Sequence, residues 1–173
     1  MLPRRFPFWF AVQVVPRFEA RIAILLEQKG YLTFLPTHKV NRRWSNRAKV
    51  LELPLFPGYV FCRDQEQAAG LIVATSQVIR IVGFGAKPSP IDDQDIDALR
   101  KLQNSGLPAE PCSYLRIGDR VQIKHGPLSG VTGILAQIRN SRRLVISVDA
   151  IMKSVSVEID EIQASPSGKV LVA

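Results

Sequence analysis

The side chains able to do covalent or acid–base chemistry are few and scattered. His38 and His125 stand alone, and Cys62 and Cys112 form no C-x-x-C pair. The run Asp92, Asp93, Asp95 and Asp97 has the composition of a cation site. At the start of a helical pattern, however, carboxylates match the helix dipole and stay solvated. No phosphate-cradling glycine loop, zincin helix or nucleophile elbow occurs. Catalysis is therefore not expected, and no metal or organic cofactor is called for. What the sequence offers is binding chemistry of two kinds. Aromatic rings stand at Trp9, Phe56, Tyr59, Phe61 and Phe84, and arginines at Arg17, Arg21, Arg42, Arg43 and Arg47. Rings anchor protein interfaces, and guanidinium groups hold phosphates.

Charge places the second kind. The 173 residues hold 23 Lys/Arg and 15 Asp/Glu, a formal charge of +8. Residues 1–63 carry 11 basic against three acidic groups, residues 64–112 four against seven, and residues 113–173 eight against five. A basic patch concentrated in one third of a mixed chain favours a polyanionic partner, in the cytosol usually nucleic acid. With 46% hydrophobic and 22% charged residues the chain can bury a core, which excludes disordered and fibrous classes. Two cysteines fit a reducing, cytoplasmic compartment. The apolar stretches fall far short of the ~20 residues of a membrane helix. Arg4-Arg5 before Phe6 to Val12 imitates a signal peptide, but Pro7 and Gln13 interrupt the apolar run, and no small-residue cleavage site follows.

The elements that must position these groups follow from periodicity. Trp9 to Val14 reads as a strand. Pro16 opens a helix with Phe18, Ile22 and Leu25/Leu26 on one face, stopped by Gly30. Tyr31 to Leu35 reads as extended, and Lys39 to Arg43 and Arg47 to Leu53 as a hairpin turning at Trp44-Ser45-Asn46. Tyr59 to Arg63 is a strand, Asp64 to about Thr75 a helix, Val78 to Phe84 a strand, and Asp93 to about Gln103 a helix. This is an α+β sandwich around an antiparallel sheet, spanning residues 1–104. Residues 105–113, with two prolines and a glycine, read as a linker. In residues 114–173 short Val/Ile-rich strands alternate with turns, the pattern of a small all-β barrel.

Strand alternation sorts the rings. Phe10, Val12 and Val60 fall on a core face, and Trp9, Tyr59 and Phe61 on the other. With Phe84 and Phe56 these rings are expected to form a partly open aromatic depression; the alternative is that they are core. Arg17 and Arg21, four apart, are expected together on the outer side of the first helix. Arg42, Arg43, Arg47 and Lys49 form a second basic cluster on the hairpin, with Trp44 at its tip.

Two local motifs are specific. The first is Pro54-Leu55-Phe56-Pro57-Gly58-Tyr59-Val60-Phe61. The second is Gly118-Asp119-Arg120-Val121-x-Ile123-x-x-Gly126-Pro127-Leu128-x-Gly130-x-x-Gly133. In this order and spacing they resemble the NusG family of transcription elongation factors, from Trp9 to about Ile162. Arg42 to Arg47 and Phe84 to Pro88 are most similar to its specialised UpxY and RfaH-type branch. The resemblance implies an N-terminal NGN domain and a C-terminal KOW domain of SH3-like barrel type. It implies that the aromatic depression seats the β′ clamp helices of RNA polymerase. It implies that Arg21 and Thr75, with Arg17 beside them, face non-template DNA. Where RfaH carries a His-Thr-Thr element against the β gate loop, this chain has Ala68-Ala69-Gly70, which cannot make that polar contact. The KOW domain is implied to recruit a ribosomal small-subunit protein or Rho, with Ile134, Leu135, Ile151 and Met152 as its apolar contact, unless these are barrel core. The β-branched runs Leu144 to Val148 and Ser154 to Val157 favour a stable barrel over a helical refolded form. The expected protein is a monomer without a membrane partner. Other readings are a ribosome-associated RNA-binding KOW protein and a housekeeping factor favouring Rho-dependent termination.

Overall fold

The computed structural model describes residues 8–44, 47–63, 70–85, 87–115, 118–138, 140–159 and 164–166. It is a mixed α+β protein of two compact units. One unit comprises residues 1–36, 56–96 and 149–151, the other residues 37–55, 97–148 and 152–173.

The first unit is built on β1 (Trp9–Val14), whose alternating large apolar residues suit a strand buried on both faces. With β2 (Leu32–Phe34), β5 (Tyr59–Arg63) and β6 (Val78–Ile81) it forms an antiparallel sheet in the order β2-β5-β1-β6. Phe10, Val12, Val14, Val60 and Cys62 share one face. They pack with Ile22, Ala23 and Leu26 of α1 (Glu19–Gln28) and with Ile72 of α2 (Gly70–Val73). The spacing of Ile22, Ala23 and Leu26 makes a single apolar stripe on α1. The helix begins three residues later than expected. The Phe18 N–H donates to the Val15 carbonyl at 3.1 Å and Arg17 adopts φ +76°, so residues 15–18 form a turn ahead of it. Of the helix expected from Asp64 to Thr75, the structure describes Gly70–Val73, and residues 64–69 lie outside the described residues.

The strand expected from Val78 to Phe84 is divided. Val82 N–H donates to the Ala11 carbonyl and Ser89 N–H returns to the Val82 carbonyl, turning the chain back on itself. Gly83–Phe84 (β7) then pairs with Lys87–Pro88 (β8) in a two-stranded ribbon. A side chain at Gly83 would collide with the Lys87 carbonyl. Helix α3 (Asp93–Ser105) follows, with Ile96, Leu99 and Leu102 buried along one side.

In the second unit, β3 (Thr37–Trp44) and β4 (Arg47–Pro54) pair in unbroken register. The all-β part contains β9 (Ala109–Cys112), β10 (Asp119–Ile123), β11 (Thr132–Ile138), β12 (Ser141–Val148), β13 (Lys153–Glu158) and β14 (Ala164–Pro166). Their order is β14-β10-β11-β12-β13-β9. The expectation of an unpaired linker at 105–113 is thereby corrected, since Ala109 to Cys112 pair with Val157 to Ser154. Prolines are compatible with a strand that lies at the edge of its sheet, where one side needs no donor. Arg143 reinforces the joint, donating to Glu110 at 3.1 Å and to the Ser156 hydroxyl at 3.3 Å. Beyond β9, the Leu115 N–H donates to Ser154 Oγ at 3.2 Å, and its carbonyl accepts from Ser147 Oγ at 2.7 Å.

Candidate protein-binding and nucleic-acid-binding faces

The second face of the first sheet carries the rings. Register sets Gln13 opposite Tyr59, Ala11 opposite Phe61, Trp9 opposite Arg63, and Phe34 opposite Phe61. Phe34 stacks on Phe61 at 6.3 Å between ring centres, and Phe56 meets Phe61 edge-on at 5.7 Å. Trp9 and Phe56 are each 2% exposed and Phe61 is fully buried. The open depression expected from these rings is therefore closed. Rings on adjoining strands lie close enough to pack on one another, and mutual burial is more favourable than presenting them to water. Phe84 departs from the expectation in the opposite direction. It lies on the β7–β8 ribbon and is 95% exposed.

Tyr59 is half-buried and marks where this face opens. It begins a row across three strands, with Gln13 opposite it and Arg80 opposite Gln13. Arg80 Nε donates to Gln13 Oε1 at 2.9 Å. A phenol, an amide and a guanidinium thus lie side by side at the rim of a buried aromatic cluster. Gln13 was legible by its shared parity with Trp9; Arg80 was not, because its place depends on the β1–β6 register, which shifts at Gln13/Val14.

The Phe56-Pro57-Gly58-Tyr59 turn is fixed from two sides. Gly58 adopts φ +85°, which glycine accepts without strain. Its N–H donates to the carboxylate of buried Glu19 at 2.8 Å, and its carbonyl accepts from Val14 N–H at 2.8 Å. Glu19 therefore ties the start of α1 to the turn that sets Phe56 and Tyr59.

Among the basic candidates, Arg21 is exposed on α1, whereas Arg17 is exposed on the preceding turn and not on the helix as expected. Thr75 is a further correction. It is buried, and its hydroxyl donates to the Leu71 carbonyl at 2.9 Å and accepts from Lys29 Nζ at 2.6 Å. Its polar group is engaged inside the fold rather than presented to a ligand. On the hairpin, Arg42, Arg43, Arg47 and Lys49 are all exposed. The turn residues Ser45 and Asn46, like Ala68 and Ala69, lie outside the described residues.

Ile134 of the barrel is buried, as is Ile151, which groups with the first unit; this corrects their reading as contact residues, since their side chains serve packing. Leu135 is half-buried, and Met152, at φ +50°, is 65% exposed. Burial pushes the Cys112 thiol above its ordinary pKa, against the opposing hydrogen bond from Ser156 and the charge of Arg143. That disfavours the nucleophilic thiolate. Among the described residues no group of three or more His, Cys, Asp or Glu could hold a metal ion, and no helix is long and apolar enough to cross a membrane.

An α+β unit with aromatic and basic surfaces and a second unit with a six-stranded β-sheet define a two-unit binding protein of the NGN and KOW type. The family model described as NusG, transcription termination factor nusG, matches residues 7–100, more than half of the chain. The chain belongs to the NusG family of transcription termination and antitermination factors. It is 28% identical over 167 residues to the transcription termination/antitermination protein NusG of Escherichia coli strain K12, covering 88% of this chain and 92% of the relative. It is 25% identical over 166 residues to the NusG of Vibrio vulnificus strain CMCP6, covering 88% and 91%. In fold it is similar to the solved structure titled "Domain interaction in Thermotoga maritima NusG". There the TM-score is 0.57 at 20% identity, over 92% of this chain and 96% of that one.

Proposed function

We propose that the chain is a transcription elongation and antitermination factor that docks on RNA polymerase through the β′ clamp helices. The observation that carries this is the row Tyr59–Gln13–Arg80 at the rim of the Trp9/Phe56/Phe61 cluster. A partly buried ring beside two polar side chains is suited to anchoring a helical tip, with the buried rings behind holding the sheet rigid. Phe84 is a separate exposed ring on the same unit and adds a second apolar contact for polymerase. Arg21, with Arg17 on the preceding turn, faces non-template DNA, and the hairpin arginines add phosphate contacts that position without reading sequence. The barrel recruits a ribosomal small-subunit protein or Rho, and Met152 is its exposed apolar group. The protein acts in the cytoplasm, as a monomer and without catalysis.

Retention on an immobilised β′ clamp-helix hairpin tests the docking. Tyr59→Ala is expected to weaken retention roughly 30-fold, in line with ~2 kcal/mol for an interface ring. Gln13→Ala combined with Arg80→Ala, which leaves the ring cluster intact, is expected to weaken it about tenfold. Unchanged retention in both variants, with circular dichroism matching the parent, overturns the proposed site.

A further inference from the structure

We propose that the cleft between the β3–β4 ribbon and the C-terminal end of α3 binds a free adenine mononucleotide. The cleft has a volume of about 450 Å³, within the ~300–1,000 Å³ usual for small-molecule sites. It belongs wholly to the second unit, and none of Tyr59, Gln13 and Arg80 lines it. Buried Leu55, Leu102 and Ala109 give it an apolar floor. Its walls are fixed by the fold. Thr37 N–H donates to Gln103 Oε1 at 3.1 Å, tying the base of the ribbon to α3. Ser105 Oγ donates to the Leu102 carbonyl at 2.6 Å and accepts from Leu107 N–H at 3.1 Å. Gly106 follows at φ +68°, so the chain leaves the helix in one direction. A preformed cleft takes a ligand without first ordering its walls.

Register orders the polar groups along the ribbon. Lys39 is opposite Glu52 and Asn41 is opposite Val50, all four on one face. Partners in such a pair are about 5 Å apart, and the two pairs are separated by about 7 Å along the strand. Asn104 reaches the same cleft from the last turn of α3. Among the described residues the side chains of Lys39, Asn41, Glu52 and Asn104 have no hydrogen-bond or ion-pair partner.

A ligand must match that order. A wholly apolar molecule would leave four polar groups desolvated and unpaired, and a sugar would leave the apolar floor in water. A small zwitterion would reach Lys39 and Glu52 but not Asn41, one step further along. A nucleotide meets every group. Lys39 holds the phosphate, and the acceptor-only carboxylate of Glu52, directly opposite, takes the neighbouring ribose hydroxyls. The base then lies one step along, its face against Val50 and Leu102 and its edge toward Asn41 and Asn104. A side-chain amide offers a donor and an acceptor together, which suits N6 and N7 of adenine, whereas guanine presents two acceptors at that edge. Lys39 is the one lysine or arginine among the lining residues, which suits a monophosphate.

Isothermal titration calorimetry of the full chain with AMP tests this. Saturable binding with a Kd on the order of 10 μM is expected for a ligand of this size. GMP, UMP and inorganic phosphate should bind about tenfold more weakly or worse. K39A and N41A/N104A should each weaken AMP binding about tenfold. V50W, at an exposed ribbon position, fills the cleft and should abolish binding. K49A removes the same charge as K39A from the opposite face of the ribbon and should keep the parental affinity. Circular dichroism matching the parent verifies the fold of each variant. Absence of saturable AMP binding overturns the proposal, as does V50W binding like the parent or K49A losing as much as K39A. GMP or inorganic phosphate binding as tightly as AMP equally overturns it. A single-stranded oligo(dA) that binds where AMP does not would assign the cleft to nucleic acid and overturn it too.

Discussion

Glu19 is a carboxylate only 3% exposed at the first residue of a helix. A buried carboxyl group needs hydrogen-bond partners for its oxygens, and here one accepts the Gly58 N–H at the start of the helix. Removing the side chain strands a buried backbone donor, at about 1–3 kcal/mol. Glu19→Ala should therefore lower stability by about 2 kcal/mol in urea unfolding. Glu19→Gln should lose less, because an amide oxygen still accepts from Gly58. Equal losses in the two variants would show that the carboxylate charge, not the tie to the turn, is what stabilises. The sequence made Gly58 conspicuous but gave no sign of its partner. Acids at helix starts are ordinarily solvated, and only the fold brings a turn 39 residues away onto this one.

β9 shows how an element can be hidden by its own composition. Ala109-Glu110-Pro111-Cys112 has no alternating pattern and a proline, yet it adds a strand to the sheet by pairing with β13. A fragment beginning at Tyr114 would leave β13 as a bare edge and Arg143 without Glu110. Compared with a fragment beginning at Gly106, it should be less stable by about 2 kcal/mol or more, since several backbone bonds worth ~0.5–1.5 kcal/mol each are lost. Urea midpoints of the two fragments measure the difference, and coincident curves would show that β9 contributes nothing. Elements whose signal is local were legible: β1, α1, the β3–β4 ribbon and α3 all lie within a few residues of where periodicity, glycine stops and prolines set them. Elements that depend on a distant partner were not. The break at Val82 is made by the Ala11 carbonyl, and the burial of Thr75 by Lys29. The site divides the same way. Parity alone grouped Trp9, Tyr59 and Phe61, but whether rings on one face are open or closed is decided by what lies over them, which alternation cannot express.

At the scale of the whole molecule, the formal charge of +8 is unevenly placed: residues 1–63 hold 11 basic groups against three acidic ones. Two physical regimes give different expectations for nucleic-acid binding. If net charge governs, removing any three cations is equivalent. If local fields govern, only cations within reach of the bound phosphates matter. At 0.15 M salt the screening length is ~8 Å, so exposed charges farther than that from the ligand are largely silent. Near 0.01 M it grows to ~30 Å, approaching the span of a small domain, and distant charges contribute to steering. R42A/R47A/K49A and R120A/K124A/K153A carry the same net charge, and all six side chains are exposed. At 0.15 M the first should weaken duplex-DNA binding by at least tenfold, and the second by less than about twofold. At 0.01 M the gap between them should narrow, as the field of the whole chain is felt. Stopped-flow association rates and equilibrium anisotropy at both salt concentrations separate the regimes. Equal losses at 0.15 M would mean that the charge bias of the first 63 residues acts only through the total, with no face of its own.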